Sequence, residues 1–146
     1  VDEINALGGN IQNAYGISID ELKAAIPCGI GKINVDTDIR LAVTRNMKEF
    51  FKNNPSKRDS ASIGGVYQLL EEKKDQFDPR AFLPPIMDTV MYGTIKDDDT
   101  AALVEVIEKG VKEAIGTLIV EFGSFGKAPL VEQVSLEEMI ERYKKM

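Results

Sequence analysis

Asn34, Asp36, Thr37 and Asp38 close an apolar run within "GKINVDTDIRLA" (Gly31–Ala42), and Arg40 stands one turn into the helical spacing that follows. An amide, a hydroxyl and an arginine beside the free N–H groups of a helix start have the composition of a phosphate grip. The two carboxylates suit that task only where they serve hydroxyls or orient Arg40. A plainer reading is structural: Asp36, Thr37 or Asp38 caps the helix and Asn34 fixes the turn. Lys32 offers imine chemistry if desolvation lowers its pKa, or else pairs with a carboxylate on an adjacent strand. Arg80 in "FDPR" either reaches an anionic ligand across a subunit boundary or pairs with Asp78 and caps a turn.

Other chemistries are excluded by composition. The chain has no histidine and one cysteine, so it lacks the usual zinc ligands and any Ser-His-Asp or Cys-His arrangement. Cys28 sits among apolar neighbours and is expected to be buried as a small hydrophobe; one cysteine alone fits a reducing compartment. A net charge of −6 argues against nucleic-acid or anionic-membrane partners, leaving room only for a small cationic pocket. No apolar run is long enough to span a bilayer, and "VDEINALGG" lacks the regions of a signal peptide, so the expectation is a cytoplasmic protein.

The elements that must position these residues follow from spacing. "VDEINA" reads as the end of a helix stopped by Gly8 and Gly9. Ser18 and Glu21 form a capping box for a short helix with Leu22, Ala25 and Ile26 inside. Ile30–Val35 reads as a buried strand, with Lys32, Asn34 and Asp36 on one face and Ile33, Val35 and Thr37 on the other. Ile39, Val43, Met47 and Phe51 then predict a helix running to "NNP". Strand followed by helix is the rhythm of an α/β protein, although one strand among five or six helices leaves its backbone groups without a partner. Residues 56–76 read as an inserted loop with a short helix around Val66, Leu69 and Leu70, and apolar spacing resumes at Ile86, Val90 and Met91. A long stripe from Leu103 to Phe122 ends at a "GSFG" turn, and Ser135 with Glu138 opens a last helix whose inner face is Leu136, Met139, Ile140 and Tyr143.

The segments "GGNIQNAYGISIDELKAAIPCGIGKINVDTDIRLAVT", "FDPRAFL" and "FGSFGKA" together resemble the C-terminal part of class II fructose-bisphosphate aldolases, in the subgroup that includes tagatose-bisphosphate aldolases. "SLEEMIERY" resembles the tail of the longer members. The resemblance implies the α/β fold of a (β/α)8 TIM barrel, of which residues 1–146 are a C-terminal segment. Residues 30–36 would be its last strand and residues 129–146 a helical tail. It further implies a homodimer or homotetramer that cleaves fructose 1,6-bisphosphate reversibly into dihydroxyacetone phosphate and glyceraldehyde 3-phosphate. Zn2+ would stabilise the enediolate from histidines in an N-terminal part that this sequence lacks. By the same resemblance Asn34 meets dihydroxyacetone phosphate, Asp36 and Thr37 hold its phosphate or neighbouring hydroxyls, and Arg40, ahead of Arg80, reads the distal phosphate. Three other readings stay open: a tagatose-bisphosphate aldolase, a Schiff-base aldolase using Lys32, and a non-catalytic helical interaction protein derived from the barrel.

Overall fold

Helix α3 (Thr37–Asn53) is the beam on which the molecule is built, because Val43, Met47 and Phe51 recur every four residues and put one apolar face inward. The computed structural model describes residues 1–14, 16–131 and 133–145. Tyr15, Glu132 and Met146 lie outside the described residues, and with them parts of the loop expected before Ser18 and of the tail expected over residues 129–146. The other helices are α1 (Asp2–Ala6), α2 (Ile19–Ala25), α4 (Gly64–Glu72), α5 (Met87–Tyr92), α6 (Asp98–Glu121) and α7 (Leu136–Lys144), with short 3-10 turns between several of them; α1, α4 and α6 pack against α3.

The principal contact is α3 against α6. It closes tightly at Gly110, where an added Cβ would lie 3.0 Å from both the Ala42 carbonyl oxygen and the Val43 Cα. Val43, Met47 and Phe51 join Ile63, Val66 and Leu70 of the α4 region, Phe82, Leu83 and Ile86, and Leu103 of α6 in one core. Each such side chain contributes about 1.5–3 kcal/mol of burial free energy. Residues 56–76 therefore do carry the short helix that their sequence suggests, and that helix supplies part of the core. Polar groups beneath the surface each have a partner: Thr44 Oγ1 donates to the Phe77 carbonyl at 2.8 Å, and one N–H of the Lys48 ammonium donates to the Leu70 carbonyl at 3.2 Å.

Several helix ends match their sequence signals. Ser18 and Glu21 form a reciprocal capping box, and Asp97 accepts from the Thr100 amide to open α6. At α7 only half of the expected box forms: Ser135 accepts from the Glu138 amide, while the Glu138 carboxylate takes Arg142.

Three expectations are corrected, and the strand expected at residues 30–36 has no neighbouring strand among the described residues against which to form. Residues 30–36 form no strand, and the described residues are helical without any strand. A strand exists only beside another, and among the described residues no segment accepts its ladder. The expected alternation nevertheless persists: Ile33, Val35 and Thr37 are half-buried while Lys32, Asn34 and Asp36 are exposed. Cys28 is exposed, because it ends a 3-10 turn (Ile26–Cys28) that stops at left-handed Gly29, at φ 97°, with its thiol against the Ala24 carbonyl. Val90 and Met91 of α5 are exposed, as are Leu136, Met139, Ile140 and Tyr143 of α7. Among the described residues nothing covers these apolar faces. Lys32 stands in water without a carboxylate partner among the described residues, so it has neither the strand pairing nor the apolar burial that imine chemistry requires.

Candidate functional site

The extended stretch enters α3 through Asp36, whose backbone (φ −134°, ψ −57°) occupies the N-cap position. Its side chain does not cap the helix. It reaches forward one turn instead, and its two oxygens accept from Arg40 Nε and Nη2 at 2.6 and 2.5 Å. This bidentate fork locks the guanidinium plane. The first amides of α3 consequently receive no side-chain cap from Asp36.

Arg40 has a second anchor. Its Nη1 donates to Asp78 Oδ2 at 2.6 Å, across thirty-eight residues of sequence. Asp78 also accepts from the Arg80 amide at 3.0 Å, which opens the 3-10 turn Pro79–Ala81, and from the Arg80 side chain at Nε (3.0 Å) and Nη2 (2.5 Å). The result is an unbroken chain of charge, Asp36–Arg40–Asp78–Arg80. The bond from Arg80 is the chief reason that the Asp78 carboxyl is held down at about 2; partial burial opposes it, and the Arg80 amide and Arg40 add to it. Arg40 and Asp78 are about a quarter exposed, whereas Asp36 and Arg80 are mostly in water. Exposed pairs contribute roughly 0.2–1 kcal/mol each, so this cluster fixes the position of two guanidinium groups more than it stabilises the fold.

The structure thus brings Asp36, Arg40 and Arg80 together. Asn34 and Thr37 flank Asp36 along the chain but enter no side-chain hydrogen bond among the described residues. The pairing of Arg80 with Asp78 is legible in "FDPR"; the second role of Asp78, as the tether of Arg40, is not, because nothing local links positions 40 and 78. A separate cleft of about 660 Å³ between α1, α3 and α6 is lined by Asp38, Leu41, Arg45 and Glu113 among others, and by none of the five candidate residues.

A bound zinc does not fit this chain. Histidine is absent from the sequence, and the described residues contain no group of three or more His, Cys, Asp or Glu placed to share a metal. The carboxylates of the candidate site are already taken by arginines.

The sequence model of class II fructose-bisphosphate aldolases matches residues 11–127. That span holds every candidate site residue and most of the helical core, and the chain belongs to the class II fructose-bisphosphate aldolase family. Relatives include a fructose-bisphosphate aldolase of Nostoc sp., 30% identical over 97% of this chain, and one of Stutzerimonas stutzeri, 31% identical over 96% of it. The chain spans 28% of the length of each of these two. A fructose-bisphosphate aldolase 2 of Rhodobacter capsulatus is 27% identical, with 97% of this chain matched to 90% of that protein. No solved structure matches the chain.

Proposed function

We propose that the chain works as the C-terminal segment of a class II aldolase, in the reversible cleavage of fructose 1,6-bisphosphate to dihydroxyacetone phosphate and glyceraldehyde 3-phosphate, holding the phosphorylated ends of the substrate. The observation that carries this reading is the convergence of Arg40 and Arg80 on Asp78 beside the start of α3. Two guanidinium groups held by carboxylates are pre-aimed, and a phosphate arriving there replaces the exposed Asp36 in the Arg40 fork without a large reordering of the arginine. Asn34 and Thr37, flanking that position, would take hydroxyl or phosphate oxygens. Catalysis by these residues is positioning: they fix the ketose so that its scissile bond lies at the reacting centre. The zinc of the family supplies Lewis-acid chemistry when bound; its ligands belong to residues outside this chain, and no step described here passes through it.

In this reading the remainder of the enzyme completes the barrel around residues 30–36, residues 56–76 are an insertion, residues 129–146 are a tail, and the assembly is a cytoplasmic homodimer or homotetramer. The described helices include none long and apolar enough to cross a membrane. A tagatose-bisphosphate, which differs at one hydroxyl-bearing centre, would meet the same phosphate contacts.

The test is steady-state cleavage by the complete enzyme carrying Arg40→Ala. Loss of charge-assisted hydrogen bonds to a phosphate should raise KM by about 10–100-fold. An unchanged KM would refute the phosphate role. It would also favour a second reading, a non-catalytic helical interaction protein, for which the observation is the uncovered apolar face of α7.

A further inference from the structure

A cleft of about 270 Å³ opens between the end of α1, the second half of α3 and α4, far along α3 from Arg40. Lys48, Lys52 and Arg58 line it, facing one carboxylate, Glu71. This is an excess of positive charge in a chain whose net charge is −6. Glu71 is itself engaged with Lys74 at 3.3 Å. None of the three cations lies within ion-pairing distance of a carboxylate among the described residues: Lys48 reaches the Leu70 carbonyl, and Arg58 Nε donates to the Phe51 carbonyl while its guanidinium lies 5.2 Å from the Tyr67 ring centre.

Lys48 is the informative member. Only 4% of it is exposed, and its ammonium has three N–H groups of which one is accounted for, by a carbonyl of the last turn of α4. That bond serves as a C-terminal cap, but a neutral acceptor does not balance a buried charge. Burial is the chief cause that lowers the pKa of the amine; Glu71 opposes the shift, and Lys74 adds to it to a lesser extent. The rest of the lining is uncharged: Phe51, Tyr67 and Leu70 supply an apolar wall, and Ala6, Leu7 and Gly8 form the rim.

We propose that this cleft is a second anion site, distinct from the Arg40 cluster, which binds the phosphate group of a small molecule through Lys48, Lys52 and Arg58. A phosphate dianion would supply the missing countercharge and acceptors for the unused ammonium protons, and a small apolar or sugar body would lie along Tyr67. The inference stands apart from the aldolase reading, since none of these residues belongs to the candidate substrate site.

The test is a titration of the chain with inorganic phosphate followed by residue-resolved NMR, with sodium chloride at matched ionic strength as the control. Saturable shifts at Leu7, Gly8, Lys52 and Tyr67 are expected with phosphate alone. Lys52→Met, which removes an exposed cation and leaves the core intact, should weaken that binding about tenfold; Lys48→Met should abolish it. Shifts reproduced by chloride, or an affinity unchanged in Lys52→Met, would overturn the site. Signals confined to Arg40 and Arg80 would overturn it as well, while leaving the substrate reading intact.

Discussion

Two groups of cations gather at helix α3, each with one arginine from outside it, and they are built on opposite principles. At its start, Arg40 and Arg80 are matched one for one by Asp36 and Asp78, with every partner within 3.0 Å. Farther along, Lys48 and Lys52 meet Arg58 with no carboxylate in ion-pairing range among the described residues. The matched group has fixed geometry and little net charge, so an incoming anion must exchange with a carboxylate already in place. The unmatched group has net charge and an enclosing wall, so an anion adds without displacing anything. Selectivity by exchange and attraction by field can therefore coexist on one helix of an acidic protein.

The largest effect should come from separating what both groups share. Gly110→Ala places a methyl group against the backbone of Ala42 and Val43, and overpacking of this kind costs about 1–3 kcal/mol. Urea denaturation should show the loss as a lower midpoint; an unchanged midpoint would mean that α3 and α6 part freely and do not form the beam described. A smaller effect should distinguish the groups by acid. The Asp78 carboxyl is depressed from 3.8 to about 2, so its stabilising contribution is fully present above pH 4 and disappears as pH falls toward 2. Acid titration of stability should show this component in the native chain and lack it in Asp78→Asn; equal curves would detach Asp78 from the arginines. Smallest of all should be Lys48→Met, within about 1 kcal/mol of the parent, because the lost cap is offset by removal of a buried charge. A much larger loss in thermal unfolding would make Lys48 chiefly a helix cap and weaken the contrast drawn here.

What sequence reveals in this molecule depends on distance along the chain. The Ser18–Glu21 box, the face of α3 and the first half of the α6 stripe are set by residues three or four positions apart and are found in the structure, whereas Ile115 and Ile119 farther along that stripe are exposed. Asp78 as the partner of Arg80 is local in the same way. Its hold on Arg40 is not, since folding through the α4 region brings the two together. The strand expected at residues 30–36 is open for a related reason: alternation can be read from one segment, but a strand is a property of two. Cys28 shows that apolar neighbours do not bury a residue when a left-handed glycine turns the chain beside it. The α7 stripe shows that helical spacing identifies an apolar face without identifying what covers it.

Residues 30–35 have a consequence of their own. Their amides and carbonyls have no hydrogen-bond partner among the described residues, and their side chains are already sorted into two faces by Ile33 and Val35. Such a stretch is a template: a neighbouring strand can zip onto it without refolding anything, in a register dictated by two side chains. The same readiness is a hazard, because a second copy of the stretch would serve as that neighbour equally well, and concentrated solutions of the chain should begin to aggregate at this point.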